Sequence, residues 1–246
     1  MLNQLSAHGV DVCWGIHVYA GLESGKICVS AGPRMAGAAG VGIKVIGRGG
    51  HGSRPDMSVN PVFCAASILT NTATAWVNQI TAGRTVTLGV TSIQGGEAPN
   101  VIPDTADILG SLRFFNDEEG EKAVRIFKNV AEHTAAMNNC QVQFDDRFCV
   151  LCAPVINDEY YSNLISTALP EVLPENVTVS SCEPWYASES FSCYRRICPS
   201  VLAHLGINNP SYGSGAAHHN GFFDVDEGVL STGVISTLKF VAMLQK

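Results

Sequence analysis

A histidine inside a glycine-rich stretch is the first candidate for chemistry in this sequence. The stretch runs from Gly47 to Pro55 and reads Gly-Arg-Gly-Gly-His-Gly-Ser-Arg-Pro, with His51 at its centre. Glycines allow positive φ and let the backbone come close to a ligand or a second chain. A histidine held there titrates near neutrality, donates to an oxyanion or binds a metal ion. A surface turn with an incidental histidine accounts for the same residues.

His17 and the adjacent pair His218–His219 are the other candidates. His17 lies near the end of a predicted buried strand, Trp14–Val18, and sites gather at strand ends in open α/β sheets. The pair closes a loop of small residues just before the acidic run Asp224–Glu227. Two histidines can bind a zinc-type ion, but a catalytic zinc site needs three protein ligands. Taken singly, His17 is more often a hydrogen-bonded core residue than a ligand.

Composition indicates an ordinary globular protein. The 246 residues are 46% apolar and 15% charged, enough for one large domain or two small ones. The net charge of −7, without a basic run, argues against a nucleic-acid partner. No secretory signal opens the chain. The uncharged run Met57–Gly83 is interrupted by asparagines and threonines, so a helix of a soluble protein is favoured over a membrane span.

The nine cysteines have no framework spacing, which favours a reduced, cytoplasmic protein. Cys149-x-x-Cys152 is the only close pair, and no second pair completes a zinc site. We therefore interpret that pair as structural.

The middle of the chain shows a β-α-β-β-α-β pattern, the ferredoxin-like arrangement. Asn60 before Pro61 and Asn116 are predicted helix N-caps. The predicted elements are a strand at Val41–Ile46, a helix after Asn60, strands at Thr85–Ile93 and Ala106–Phe115, a helix after Asn116 and a strand at Gln141–Phe148.

The flanking segments alternate strands and helices, which indicates an α/β layer with parallel pairing. Met1–Gly9 is predicted to be a final helical turn, Val10–Val12 a strand, and Gly32–Gly40 a linker of small residues. We predict that residues 1–36 and 149–246 form one domain, interrupted by an inserted domain at 37–148. In the last helix, the stripe Leu230, Val234, Leu238 and Val241 is predicted to face the core.

Segments spread along the chain match, in order, the motifs of one known family. They are Gly15-Ile-His-Val18 with Gly25, Gly47-Arg-Gly-Gly-His51 with Pro55, Gly95-Gly96 with Asn100-Val-Ile-Pro-Asp104, Gly110-Ser-Leu-Arg113, Ser188-Glu189-Ser190-Phe191, and His219-Asn220 with Asp224-Val-Asp-Glu227. Together they resemble the metal-dependent amidohydrolases of the aminoacylase/carboxypeptidase type. Within these, the branch of hippurate hydrolases, N-acyl-amino-acid amidohydrolases and plant auxin-conjugate hydrolases is most similar.

The resemblance implies a site of two divalent metal ions, of zinc, manganese or nickel, with zinc favoured. His17 and His219 would each bind one ion, and His218 is the alternative if the alignment is off by one residue. Glu189 would lie beside a ligand.

The resemblance also implies substrate-binding residues in a lid domain that forms a homodimer. His51 would reach the partner's site and stabilise the tetrahedral intermediate. Asn100 and Arg113 would lie near the substrate carboxylate or the intermediate's oxygen, where an arginine fork binds carboxylate in two places. An ordinary strand arginine paired with Asp107 is the alternative for Arg113.

Two family features are absent from the sequence: the first metal segment, resembling Cys-Gly-His-Asp, and the Glu-Glu pair that holds the general base. Ser190 also replaces a usual aspartate. The sequence thus resembles the C-terminal part of such a hydrolase. The predicted fold is an incomplete α/β catalytic domain interrupted by a ferredoxin-like lid/dimerisation domain, with a strand edge and apolar surface left exposed.

Three functions are compatible with this sequence. The first is a metal-dependent hydrolase of the amide bond in N-acyl amino acids, inactive as this chain alone. The second is a non-catalytic dimerisation or scaffold module. The third is a carboxypeptidase or dipeptidase of the same superfamily, acting on a short peptide. None involves nucleic acid or a membrane.

Overall fold

The computed structural model describes residues 2–145 and 151–245, which form two compact units. The first, which we call the interrupted unit, comprises Met1–Met35, Val155–Trp185 and Glu189–Lys246. The second, the inserted unit, comprises Ala36–Pro154 with Tyr186–Ser188.

Both units contain strands and α-helices, which are numbered in chain order. The strands are β1 (Cys13–Glu23), β2 (Ile27–Cys28), β3 (Gly32–Met35), β4 (Gly37–Ile46), β5 (Gly50–His51), β6 (Val86–Gln94), β7 (Val101–Ile102), β8 (Thr105–Phe114), β9 (Gln141–Phe144), β10 (Leu151–Cys152), β11 (Val155–Asn157), β12 (Thr178–Val179) and β13 (Ser200–Asn208). The α-helices are α1 (Leu2–Ala7), α2 (Pro61–Gln79), α3 (Asp117–Met137), α4 (Glu159–Ala168) and α5 (Leu230–Leu244).

The inserted unit has the predicted ferredoxin-like arrangement. Its antiparallel sheet has the order β10-β4-β8-β6, and β9 also pairs with β4. Helices α2 and α3 pack against the sheet around one apolar core, which includes Ile43, Ile68, Ile108, Leu112 and Phe127. Burial of these side chains is the main favourable term in the stability of the unit.

Both long helices of the inserted unit begin where their capping residues predict. The side chain of Asn60 accepts a hydrogen bond from the Val62 amide at 2.9 Å, and that of Asn116 accepts one from the Glu119 amide at 3.0 Å. Each cap satisfies an amide that the helix itself cannot pair. Pro61 occupies the first turn, where its missing N–H costs nothing.

The interrupted unit is built on a mixed four-stranded sheet in the order β1-β13-β2-β12. Strand β1 pairs in parallel with β13, as predicted for an α/β layer, and has no second partner strand in the described part of the chain. Ile27, Ile165, Leu169, Ala203 and Phe240 form the centre of its core.

Several local predictions were wrong. Gly32–Gly40 is not a linker, because it forms β3 and the start of β4, which pair with the distant strands β11 and β8. Val10–Val12 is not a strand; β1 begins after it and continues to Glu23. The predicted strand end at 146–148 and Cys149 lie outside the described residues.

Helix α5 turns the face predicted to be buried outward. Leu230, Val234, Leu238 and Val241 are 49, 58, 63 and 45% exposed. The buried residues are instead Gly233, Ser236 and Phe240, whose ring stacks on Trp14 at 4.6 Å. By length and composition alone, Glu227–Leu244 could cross a membrane, but one such helix is weak evidence, and the Phe240 contact is that of a core helix.

Candidate functional site

His17, His218 and Glu189 come together within the interrupted unit. His17 lies in the middle of β1, and its ring centroid is 5.5 Å from that of His218. Its Nε2 atom is 3.9 Å from Oε2 of Glu189. Its Nδ1 atom lies 2.7 Å from the Val18 carbonyl oxygen, to which it donates. This hydrogen bond leaves the Nε2 lone pair facing Glu189, the tautomer in which a histidine binds a metal ion.

Glu189 is held in place by its own backbone turn. It caps a short 3-10 helix, Ser190–Arg196, and its Oε1 atom accepts hydrogen bonds from the Phe191 amide at 3.2 Å and the Ser190 hydroxyl at 2.9 Å. Ser190, which replaces an expected aspartate, therefore fixes one carboxylate oxygen, while the other faces His17.

Aromatic side chains form one wall of this cluster. The Trp185 indole lies 4.3 Å from the His218 ring and 5.2 Å from the His17 ring, measured between centroids. Tyr19, two residues after His17 on the same face of β1, lies 5.2 Å from Trp185. Burial and the neighbouring His17 and His219 lower the pKa of His218, so its ring favours the neutral form that can coordinate a metal ion.

His219 points away from the cluster as far as its backbone determines. It is exposed, and its φ of 64° places it in the left-handed region, where the chain reverses direction. His218 instead lies against His17, Trp185 and Phe223, and its Nε2 atom accepts a 3.4 Å contact from the Ala20 amide. The structure therefore brings the alternative residue, His218, next to His17 rather than His219.

The clustered side chains do not make up a complete metal site. Within residues 2–145 and 151–245, no group of three or more His, Cys, Asp or Glu side chains is arranged to hold a metal ion. His17 and His218 could each contribute one ligand, and Glu189 is 3.9 Å from the first of them. The donor set fits a part of a metal site and not the whole of one.

His51 and Asn100 lie together in the inserted unit. His51 ends β5 and pairs with Val101 of β7, while the Gly52 amide donates to the Asn100 carbonyl at 2.8 Å. Both side chains are exposed. Nδ1 of His51 lies 2.7 Å from the Ser53 hydroxyl and accepts from the Ser53 amide at 3.2 Å, which leaves Nε2 free of these contacts.

The glycines around His51 are required by close backbone packing. A Cβ atom on Gly47 would lie 2.2 Å from the Val59 carbonyl oxygen, and one on Gly49 would lie 2.8 Å from that of Ile102. The Gly49 amide donates to Asp104 Oδ1 at 2.7 Å, so the loop is fastened at the residue before β8. The loop is thus a held presentation of His51 and not a loose turn.

Arg113 lies at the other end of β8. It is half-buried, and its guanidinium contacts the Ser111 hydroxyl and donates to the Leu112 carbonyl at 3.0 Å. Asp107 lies near Lys44 at 3.9 Å, so it is not the partner of Arg113. From residue 105 to residue 113 the strand extends about 26 Å at 3.3 Å per residue. The inserted unit of one chain therefore does not bring Arg113 to His51.

Sequence reasoning missed Trp185, Tyr19 and His204, which also line the cluster. His204 pairs with His17 across β1 and β13, and its ring lies 4.9 Å from that of Tyr19. Burial, with smaller effects of Arg34, His17 and His218, lowers its pKa to about 4. The spacing of Tyr19 from His17 was the one local signal, since alternate residues of a strand share a face.

Comparison with known proteins places the chain among enzymes. The model of the peptidase dimerisation domain matches residues 35–138. Thermostable carboxypeptidase 2 of Saccharolobus solfataricus is 29% identical over 233 residues, covering 93% of this chain and 57% of that protein. The N-acyl-L-amino acid amidohydrolase of Geobacillus stearothermophilus is 34% identical over 154 residues, covering 61% of this chain and 40% of that protein.

Solved structures share the fold. The Bacillus subtilis YXEP protein, described as a dinuclear metal binding peptidase from the M20 family, aligns with a TM-score of 0.76 and 23% identity over 99% of this chain and 61% of that one. The chain spans 57% of the carboxypeptidase above and 51% of an Arabidopsis thaliana IAA-amino acid hydrolase, ILR1-like 4. The chain belongs to the family of carboxypeptidases and N-acyl amino acid amidohydrolases that carry a peptidase dimerisation domain.

Proposed function

We propose that this chain belongs to a metal-dependent enzyme that hydrolyses the amide bond of N-acyl amino acids. The observation that carries the proposal is the meeting of His17, His218 and Glu189 in the interrupted unit of a chain from this family. Relatives named N-acyl-L-amino acid amidohydrolase and N-acetylcysteine deacetylase support that substrate class. Hydrolysis of a short peptide by a carboxypeptidase or dipeptidase is the alternative, supported by the carboxypeptidase relatives.

His17 and one residue of the pair His218–His219 are the proposed metal ligands in this chain. In the whole protein they would contribute to a site for two divalent ions, of zinc, manganese or nickel, with Glu189 beside the ligand His17. When bound, the ions would polarise the amide carbonyl and activate water. Because the described residues complete no metal site, we infer that this chain alone is inactive.

The lid residues act across a dimer in this proposal. His51 would donate to the oxyanion of the tetrahedral intermediate, which is the largest single electrostatic contribution in such reactions. Asn100 and Arg113 would hold the substrate carboxylate or the intermediate's oxygen. Since Arg113 is about 26 Å along β8 from the end near His51, a site that uses both residues requires two chains.

The proposed dimer forms through the inserted unit, which we assign as the lid domain. Strand β6 lies at the edge of its sheet, with Val90 and Ile93 39% and 46% exposed. An unpaired edge with exposed apolar side chains is a template for pairing with another chain. The expected location is the cytoplasm, where the thiols stay reduced.

The interrupted unit has the physical features of a domain that requires more protein. Its strand β1 leaves one edge unpaired in the described part of the chain, although that strand carries His17. The outward face of α5 places Leu238, 63% exposed, and Val234, 58% exposed, in water. Both surfaces favour the assignment of this unit as an incomplete catalytic domain.

The first experiment measures metal content and benzoyl-glycine hydrolysis on the purified chain. We expect no stoichiometric metal and no turnover. Stoichiometric metal with turnover would overturn the assignment of this chain as inactive by itself.

A fusion tests the substrate class. The region of the Geobacillus stearothermophilus amidohydrolase that precedes its matched part would be placed before residue 2 of this chain. We expect the fusion to bind metal and to hydrolyse benzoyl-glycine faster than a free dipeptide, and His17→Ala to abolish both properties. A folded, metal-loaded fusion that cleaves only the dipeptide would support the peptidase alternative.

A non-catalytic dimerisation module is the second candidate, because the described residues hold no complete metal group. It predicts a dimer for the chain and for the fusion, with no hydrolysis by either. Turnover by the fusion that depends on His17 and His51 would exclude it.

A further inference from the structure

The described cysteines are free thiols, and many of them lie in pairs. Three pairs share a hydrogen bond between thiols: Cys13 with Cys198, Cys28 with Cys182, and Cys64 with Cys140. Thiols so placed can be oxidised to a disulfide, but only a thiolate reacts at a useful rate. The surroundings of each pair therefore decide which one is reactive.

The pair Cys28 and Cys182 lies in a polar part of the interrupted unit. Cys28 lies in β2, opposite His204 of β13, and its sulfur is 3.3 Å from the Ser30 hydroxyl. Cys182 follows β12 and is half-buried, with its sulfur 3.6 Å from Nδ1 of His204.

Arg34 supplies a cation to this pair. It is only 7% exposed, and its Nη1 atom donates to the Cys182 carbonyl at 2.8 Å and lies 3.7 Å from the Cys182 sulfur. No carboxylate pairs with Arg34 among the described residues. A buried charge without a counterion is costly. The anion within its reach is a thiolate shared by Cys28 and Cys182.

The direction of the thiol pKa shifts agrees with this geometry. The hydrogen bond from Cys182 lowers the pKa of Cys28 to about 6, helped by Ser30 and Arg34 and opposed by burial. Burial raises the pKa of Cys64 to about 12, and it raises that of Cys13 to about 11. One proton is thus shared between Cys28 and Cys182 near neutrality, while the other two pairs stay protonated.

We propose that Cys28 and Cys182 form a redox-active thiol pair, held by Arg34, that a hydroperoxide oxidises to a disulfide. When the shared proton lies on Cys28, the half-buried Cys182 thiolate attacks the peroxide. An S–O bond forms, the O–O bond breaks, and the released hydroxide takes up a proton to leave as water. The Cys28 sulfur then attacks the sulfenic Cys182 sulfur, so that an S–S bond forms and the S–O bond breaks. The departing hydroxide takes the Cys28 proton, and the sum is two thiols and one peroxide to one disulfide and two water molecules.

The disulfide would tie β2 to the segment that leads to Trp185. That segment is already held by the Trp185 amide, which donates to the Arg34 carbonyl at 2.8 Å. Oxidation therefore modifies a position three residues from the indole that contacts His17 and His218.

The test oxidises the reduced chain with hydrogen peroxide, blocks remaining thiols with iodoacetamide, and identifies linked peptides by mass spectrometry without reduction. We expect a Cys28–Cys182 link to form at least about tenfold faster than a Cys64–Cys140 link. The second pair is a matched control in the same molecule, since its thiols also share a hydrogen bond but burial keeps them protonated. Equal rates for the two pairs, or Cys28 remaining alkylated throughout, would overturn the proposal.

Variants separate the role of Arg34 from simple proximity of the sulfurs. Arg34→Gln should slow the Cys28–Cys182 link about tenfold, and Arg34→Lys should retain most of the rate, because the cation stabilises the thiolate. Cys182→Ser should prevent the link and leave Cys28 free for iodoacetamide. Circular dichroism checks that each variant is folded. An unchanged rate in folded Arg34→Gln would contradict the assigned role, and the wild-type comparison stands if that variant does not fold.

Discussion

The imidazoles of His17 and His218 lie edge to face with centroids 5.5 Å apart, although 201 positions separate them in sequence. The Trp185 indole contacts both rings, at 5.2 and 4.3 Å between centroids. Their proximity depends on β1 and on the loop after β13, which the fold brings to one place. A choice between His218 and His219 as a metal ligand is therefore open to direct measurement.

We predict that His218→Ala lowers the zinc affinity of the fusion by at least about tenfold, the effect of losing a ligand or its close support. His219→Ala, at an exposed position with positive φ, should change the affinity less than about twofold. Competition with a chromogenic chelator measures both. The reverse order would assign the ligand to His219, as the motif spacing indicates.

How much of this arrangement the sequence predicts depends on the range of the interactions. Asn60 and Asn116 were placed correctly because a helix cap is made within three or four residues. Gly32–Gly40 was missed because its strands depend on distant partners, and its small residues carry no β-strand signal. The spacing of His219 from Glu227 could not show which of two adjacent histidines faces His17, because that depends on one backbone dihedral angle.

The stability of the interrupted unit should fall as the pH drops from about 6.5 to 4. Burial lowers the pKa of His204 to about 4, so over this interval the unfolded chain binds a proton that the folded chain does not. The linkage amounts to about 3 kcal/mol of unfolding free energy, present above pH 6.5 and lost toward pH 4. Urea denaturation of the metal-free chain at several pH values measures it.

The control for this pH dependence is a second histidine. His204→Gln should flatten the decrease, whereas His133→Gln, on the exposed face of α3, should leave it unchanged. An equal slope in the His204→Gln variant would show that other groups determine the acid sensitivity. Arg34, His17 and His218 are the charged neighbours to examine in that case.

The exposed edge of the inserted unit gives a prediction for the dimer. Ile93→Lys and Val90→Lys place a charge on strand β6, which lies at the edge of the sheet. We expect each to weaken dimerisation at least about tenfold, since charged side chains on an edge prevent strand pairing. Analytical ultracentrifugation measures the dissociation constant. Val172→Lys, on an exposed apolar position of the interrupted unit, is the matched control and should not affect it.

Asn157 connects the strands of the interrupted unit through its side chain. Its amide donates to the carbonyls of Ser30 at 3.1 Å and Leu202 at 2.9 Å, and its oxygen accepts from the Leu202 amide at 2.7 Å. The residue is 3% exposed, so its removal leaves buried backbone groups unpaired. Asn157→Ala should cost about 2–4 kcal/mol of unfolding free energy, and Asn163→Ala, on the exposed side of α4, less than about 0.5. Similar losses would mean that water replaces the Asn157 contacts.

Helix α5 gives the test of which face of a helix is in the core. Its apolar residues recur at helical spacing, but periodicity does not say which face the rest of the chain covers. Phe240 stacks on Trp14 and is 3% exposed, whereas Leu238 is 63% exposed. Phe240→Ala should therefore lower the unfolding free energy by about 3–5 kcal/mol, and Leu238→Gln by less than about 0.5. In the fusion, Leu238→Gln should be more costly if the added region covers this face. An equal small cost in both proteins would show that α5 stays exposed and that the unpaired β1 edge is the surface to which the added region binds.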